Sequence, residues 1–347
     1  MEIQRKNRTR NSLDACTFAK VVLMFIVVLY HSCIFWTGTW FTRNPIIDAP
    51  HISLFAYWLN SFQIYAFMIA SGYVYYSMRF EHNKYTDYGV FVKTKIKRLI
   101  MPYCAVALLW IIPWQFIYMK VSLSEVIRNF VLAYSPSQIW YLLVLFFVFV
   151  IVRLFDTKIV QSSAFTIAFS LGAYIVGLLL ERTVGNLLML DRVGLYICSF
   201  CLGFKLRQGS LRVIERIPSI VLLGLNLCFF IAMTLCNETS VYSKMLKIVM
   251  SFMVNNIGAL CMFVFLMRAA IKVKPRSSVY LFFVKRTMPI YLLHQQIIFL
   301  PVMWLNGVIS PEMHVVVNFL FSIGLSTLIS SVLLSFKWTR LIIGEGQ

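Results

Sequence analysis

The chain has 347 residues, of which 60% are hydrophobic and only 13% charged. A soluble domain carries about 25% charged residues, so a long chain this apolar cannot cover a water-facing surface, and a bilayer is its natural solvent. The net charge of +19 does not point to nucleic acid, because the basic residues cluster between apolar stretches, where they read as anchors facing anionic lipid.

Apolar runs of about 20 residues suffice to cross the hydrocarbon core. In chain order they predict spans at Thr17–Trp36, Ile52–Met78, Leu99–Met119, Ile139–Phe155 and Ser162–Leu180. Five more follow at Leu187–Phe204, Ser219–Cys236, Ile248–Met267, Thr287–Leu305 and Val315–Phe336. The sixth carries Asp191 and Arg192 near its start. The first run is long enough to span and no small-residue cleavage site follows it, so it is expected to act as its own insertion signal. Only Arg43, Lys120, Arg128, Arg182, Arg192, Lys244 and Lys247 fall in outer segments. Lys20 lies within the first span, and the other Lys and Arg residues fall in inner segments. That asymmetry predicts an all-α bundle of about ten helices with both termini cytoplasmic. Residues 1–347 read as a single integral-membrane domain, without repeats or low-complexity tracts.

Chemistry must then lie inside the membrane or in short loops. The first span places Lys20 and His31 eleven positions apart. On a helix this is about 20° beyond three full turns, so both share one face, separated by about 16 Å along the axis. Ionisable groups in a span face a cavity or a partner and often mark function. Lys20 also has the option of snorkelling to the headgroups, and His31 that of a hydrogen bond between helices. A histidine serves as a general base near neutral pH.

The second span closes on Ser71-Gly72, a pair that favours close helix packing and offers one hydroxyl. Before the third span stands the run KTKIKRLIMPY, with Lys95, Lys97 and Arg98 at a cytoplasmic helix mouth. These cations suit either lipid anchoring or a phosphate-rich ligand. Lys95 and Arg98, three apart, are expected to project together from a helix. Trp140 opens the fourth span on the outer side, as interfacial aromatics do. The ninth carries Tyr291, His294, Gln295 and Gln296, a polar density that predicts a face turned to the bundle interior. The eight cysteines lack metal-site spacing, the Cys198–Cys201 pair standing alone, so no metal site is expected. Asp48, Glu125, Glu181 and Asp191 fall in outer segments, either as sugar contacts or as solvated charges.

These pieces, in this order, resemble the acyltransferase-3 family of membrane proteins. The likeness runs over nearly the whole chain. It rests on a basic residue, ten positions and a histidine (Lys20, His31), then Ser71-Gly72, then the basic run closing on Pro102-Tyr103. Trp140 and the Tyr291–His294 segment complete it. The chain departs from the family's commoner pattern by having lysine at 20 and 95, and Thr17 where many members have aspartate. These departures suggest a polysaccharide-modifying branch.

The resemblance implies an O-acyltransferase. It would move an acyl group, commonly acetyl, from cytoplasmic acetyl coenzyme A or another acyl-coenzyme A to a hydroxyl of a surface or exopolysaccharide glycan. It implies His31 and Lys20 as the catalytic pair, and Lys95, Lys97 and Arg98 as the donor's phosphate seat. Ser71, Trp140, Tyr291 and His294 are the expected substrate contacts. No resident cofactor is expected. The implied partners are the donor, the glycan, the lipid bilayer and the polysaccharide synthesis or export machinery, with no nucleic acid. The expected location is the plasma (inner) membrane. A glycan transporter without acyl transfer is the alternative, since buried polar groups in ten helices also suit transport.

Overall fold

A computed structural model describes residues 2–38, 40–236, 240–273 and 277–344. Among these the secondary structure is helical, with no strand beyond an isolated bridge between Trp40 and Arg43. The first helix starts at Glu2, and its apolar part, α1, is Ser12–Thr37. Then come α2 (Pro50–Glu81), α3 (Tyr88–Tyr118), α4 (Ser137–Gln161), α5 (Ser163–Thr183) and α6 (Leu187–Gln208). They are followed by α7 (Ser219–Leu235), α8 (Val241–Ala270), α9 (Thr287–Leu305), α10 (Pro311–Ser335) and a short α11 (Lys337–Ile342).

Nine of these helices are long and apolar enough to cross a bilayer. The tenth expected span is α7, with 17 residues, which at 1.5 Å per residue reaches about 26 Å, just under the hydrocarbon thickness. The sixth span stands despite its charges: Asp191 is buried, its carboxylate 3.3 Å from Arg192 Nε. Of the acids expected on the outer side, Glu125 has a structural role. Its carboxylate accepts from the backbone N–H and hydroxyl of Ser122 at a helix start, bonds that hold it below the usual carboxylate range. Lys274 and Arg276, two of the basic residues expected on the inner side, lie outside the described residues.

α3 is interrupted by wide turns at Ile96–Ile100 and Ala107–Ile111, each just before a proline, Pro102 and Pro113. Proline brings no N–H and crowds the carbonyl four residues back, and a wide turn absorbs the misfit.

The chain divides into two compact units. The first comprises Met1–Ile26, Tyr57–Lys84 and Cys198–Val284. Within it α2 and α6 cross at glycine. A Cβ on Gly203 would lie 1.8 Å from Ile69 O, and one on Gly72 would lie 1.9 Å from Phe200 O. Buried amides stitch the same unit: Trp58 Nε1 donates to Asn226 Oδ1 and Ser199 Oγ to Asn256 Oδ1. Arg207 lays its guanidinium on Glu81 at 2.7 and 2.8 Å and reaches Tyr73 Oη at 3.0 Å. Because the crossing is backbone on backbone, Gly203→Ala is expected to cost more than the ~1–3 kcal/mol typical of overpacking. A clear drop in detergent melting temperature or folded yield would be the sign, and an unchanged melt would contradict so close an approach.

The second unit comprises Val27–Ala56, Tyr85–Ile197 and Lys285–Gln347. It holds the last part of α1 and the first parts of α2 and α6, together with α3, α4, α5, α9 and α10.

Candidate active site

His31 and His294 meet inside the second unit. His294 is fully buried on α9, and its ring centroid lies 4.7 Å from that of the half-buried His31, at 68°. Nδ1 of His294 lies 2.7 Å from Tyr291 O and 3.3 Å from Ile290 O. Carbonyl oxygens only accept, so this nitrogen carries the proton, and Nε2 of the neutral ring holds a lone pair. Nε2 faces His31 Nδ1 at 3.1 Å, and that nitrogen is also 2.9 Å from Val27 O. Both neighbours accept, so His31 donates from Nδ1 and its Nε2 is left with a lone pair. Among the described residues Nε2 has no hydrogen-bond partner. One arrangement of protons satisfies every contact, and it leaves a base at His31 Nε2 backed by a second imidazole.

Two elements fix the pair. From α10, Asn318 Nδ2 donates to Ser32 O at 3.2 Å, and Ser322 Oγ donates to His294 O at 3.1 Å. Four residues apart on one face, they grip the backbone at one histidine and beside the other. From α4, Gln138 Nε2 donates to Leu292 O at 2.8 Å and to Gln296 Oε1 at 2.6 Å. Tyr291 Oη donates to Gln138 O. Ser137 Oγ adds a bond to Gln295 Oε1 at 3.0 Å.

The other expected site residues are distributed. Tyr291 shares the His294 turn, but its hydroxyl is engaged by α4. Trp140 turns toward α6, its ring 5.7 Å from Tyr196 and 5.9 Å from the Arg192 guanidinium. Ser71, in the first unit, donates to Phe67 O of its own helix at 2.9 Å. Lys20, also in that unit, is half-buried on α1.

The basic run differs from expectation. Lys97 and Arg98 are exposed, whereas Lys95 is buried, with Nζ 3.5 Å from the Phe149 ring centroid, 5.1 Å from Tyr85 and 5.4 Å from Phe91. Lys95 and Arg98 therefore do not project together. The wide turn at Ile96–Ile100 carries more residues per turn than an α-helix and rotates them apart. Asn318, Ser322 and Gln138 were not expected as part of the site. The signal for the first two is a stripe of polar residues recurring every fourth position through α10, His314, Asn318, Ser322, Ser326 and Ser330, all buried.

The chain is thus a polytopic helical membrane protein with paired histidines in one of its units. The acyltransferase domain family matches residues 12–335. The chain belongs to that family, acyltransferase-3, and is a multi-pass membrane acyltransferase. No curated protein and no solved structure matches it.

Proposed function

We propose that the protein is an O-acyltransferase of the plasma (inner) membrane with both termini cytoplasmic. It moves an acyl group, acetyl in the first instance, from acyl-coenzyme A to a hydroxyl of a cell-surface or exopolysaccharide glycan. The observation that carries this reading is the open Nε2 of His31 behind which His294 stands at 3.1 Å. His31 Nε2 takes the acceptor hydroxyl's proton as the oxygen attacks the thioester carbonyl. The C–S bond breaks, and the departing thiolate takes that proton back. While His31 is charged, the bond that its Nδ1–H already makes to the His294 lone pair becomes charge-assisted, so it is stronger with the developing charge than in the resting site. Lys20 follows as the basic group at the donor's end of α1. On the acceptor side, His294 backs His31 and Tyr291 holds the α9 turn against α4, with Trp140 as a further contact. Glycan synthesis or export machinery would present the acceptor.

The exposed Lys97 and Arg98 are suited to the donor's phosphates. Lys97→Glu with Arg98→Glu is expected to raise the apparent KM for acyl-coenzyme A roughly three- to tenfold, less at high salt, with kcat little changed. Equal KM values in purified protein would remove the phosphate seat from this loop.

The function is tested by restoring the gene to cells from which it has been deleted. Esters released from surface glycan by mild base are then counted per sugar. Return of the esters supports the reading. Restored glycan export at constant ester content would replace it with the transporter reading.

A further inference from the structure

We infer that the end of α3 forms a saccharide subsite in the second unit, which seats one sugar ring of the acceptor glycan at Trp114. The inference rests on the acyltransferase reading for its occupant, but its evidence is separate. Trp110 Nε1, Trp114 Nε1 and Gln115 Oε1 are sealed from solvent, and none has a hydrogen-bond partner among the described residues. Trp114 and Gln115 are 9% and 8% exposed. Two donors and one acceptor are thus buried unpaired within six residues, a cost that proteins seldom carry without a reason.

Around the Trp114 ring stands an aromatic cluster. Trp114 meets Phe299 of α9 at 4.6 Å and 90°, Phe41 at 5.0 Å and Tyr118 at 5.2 Å. Phe41 tops the cluster from a tight turn closed by paired backbone bonds between Trp40 and Arg43, each 2.9 Å. Both central residues of that turn, Phe41 at φ +46° and Thr42 at φ +62°, lie in the left-handed region. Such turns favour Asn and Gly. A bulky residue held there is a strained backbone of the kind that collects at ligand clamps.

Two other roles fit less well. An interfacial aromatic belt shows its rings to lipid and its N–H groups to headgroups, whereas Trp114 is buried and its N–H meets nothing. Pure packing is served by phenylalanine without desolvating a donor. A lipid tail would leave all three polar atoms unpaired. A sugar ring matches both halves of the site: its C–H face lies on an aromatic ring, and its hydroxyls pair with indole N–H groups and an amide oxygen. Phe41, half-exposed, is the ring such a ligand displaces. Phe299 lies five residues past His294 on α9, about 7.5 Å along the axis, which puts a neighbouring ring of the glycan near the paired histidines.

The test is a titration of full-length protein in lipid nanodiscs with polysaccharide from the deletion cells, stripped of esters by mild base and followed by saturation-transfer NMR. Wild type is expected to bind saturably. Trp114→Phe, which keeps a ring and removes the N–H, is expected to weaken binding about fivefold, the value of one hydrogen bond. Gln115→Leu is expected to do the same from an independent side chain and reports even if Trp114→Phe fails to fold. No saturable binding by wild type, or unchanged binding in both variants, overturns the subsite. Ester recovery in the deletion cells is scored separately. Esters that return while the variants bind normally sink the subsite alone. Binding that depends on Trp114 without ester recovery sinks the transferase reading alone.

Discussion

Cells carrying His31→Ala in place of the native protein are expected to make surface glycan almost without base-labile esters. Loss of a general base lowers a rate by about 10²–10⁴-fold, so ester content per sugar should fall to the background of the deletion strain. The variant should still reach the membrane at normal levels. His31 bonds to Val27 O of its own helix and to one other side chain, His294, so its removal breaks one link between helices. Immunoblotting of membranes separates the two effects. Glycan from His31→Ala cells with ester content within about threefold of wild type would remove His31 from the chemistry.

His294→Ala is expected to give a smaller, graded defect. The open Nε2 of His31 survives, but the imidazolium formed there loses the lone pair that accepts from Nδ1–H. A hydrogen bond to a charged group contributes about 1.5–3 kcal/mol, which corresponds to roughly a 10- to 150-fold fall in kcat. The donor's KM should hold. His294→Gln offers an amide oxygen that can accept the same proton, so activity should order as wild type, then Gln, then Ala. Were His294 only filling space, Leu would rescue better than Gln, and that order would assign it to packing.

Much of this architecture could be read in the chain. The ten apolar runs coincide with helices because composition alone forces backbone groups in a bilayer to satisfy one another. α7 proved shorter than the rest, since hydropathy reports polarity and not where a helix stops. His31 and His294 stood out because an ionisable group in a span demands a partner, although nothing in their spacing says that each is the other's. Lys95 was misjudged through the assumption of regular helix between it and Arg98. The wide turn before Pro102 is a backbone response that periodicity does not display. Asn318 and Ser322 were missed because serine and asparagine in a span have ordinary packing roles, and their value lies in which carbonyls they reach.

The grip of α10 on both histidine neighbours has a consequence for synthesis. Ribosomes make Asn318 and Ser322 after every other residue of the paired-imidazole arrangement, so α1 and α9 can enter the membrane without yet holding their final register. A nascent chain arrested before α10 would own both imidazoles and lack the two side chains that fix their backbones. Catalytic competence would then arrive as a late event in assembly, keeping half-built molecules from consuming thioester while still at the insertion machinery.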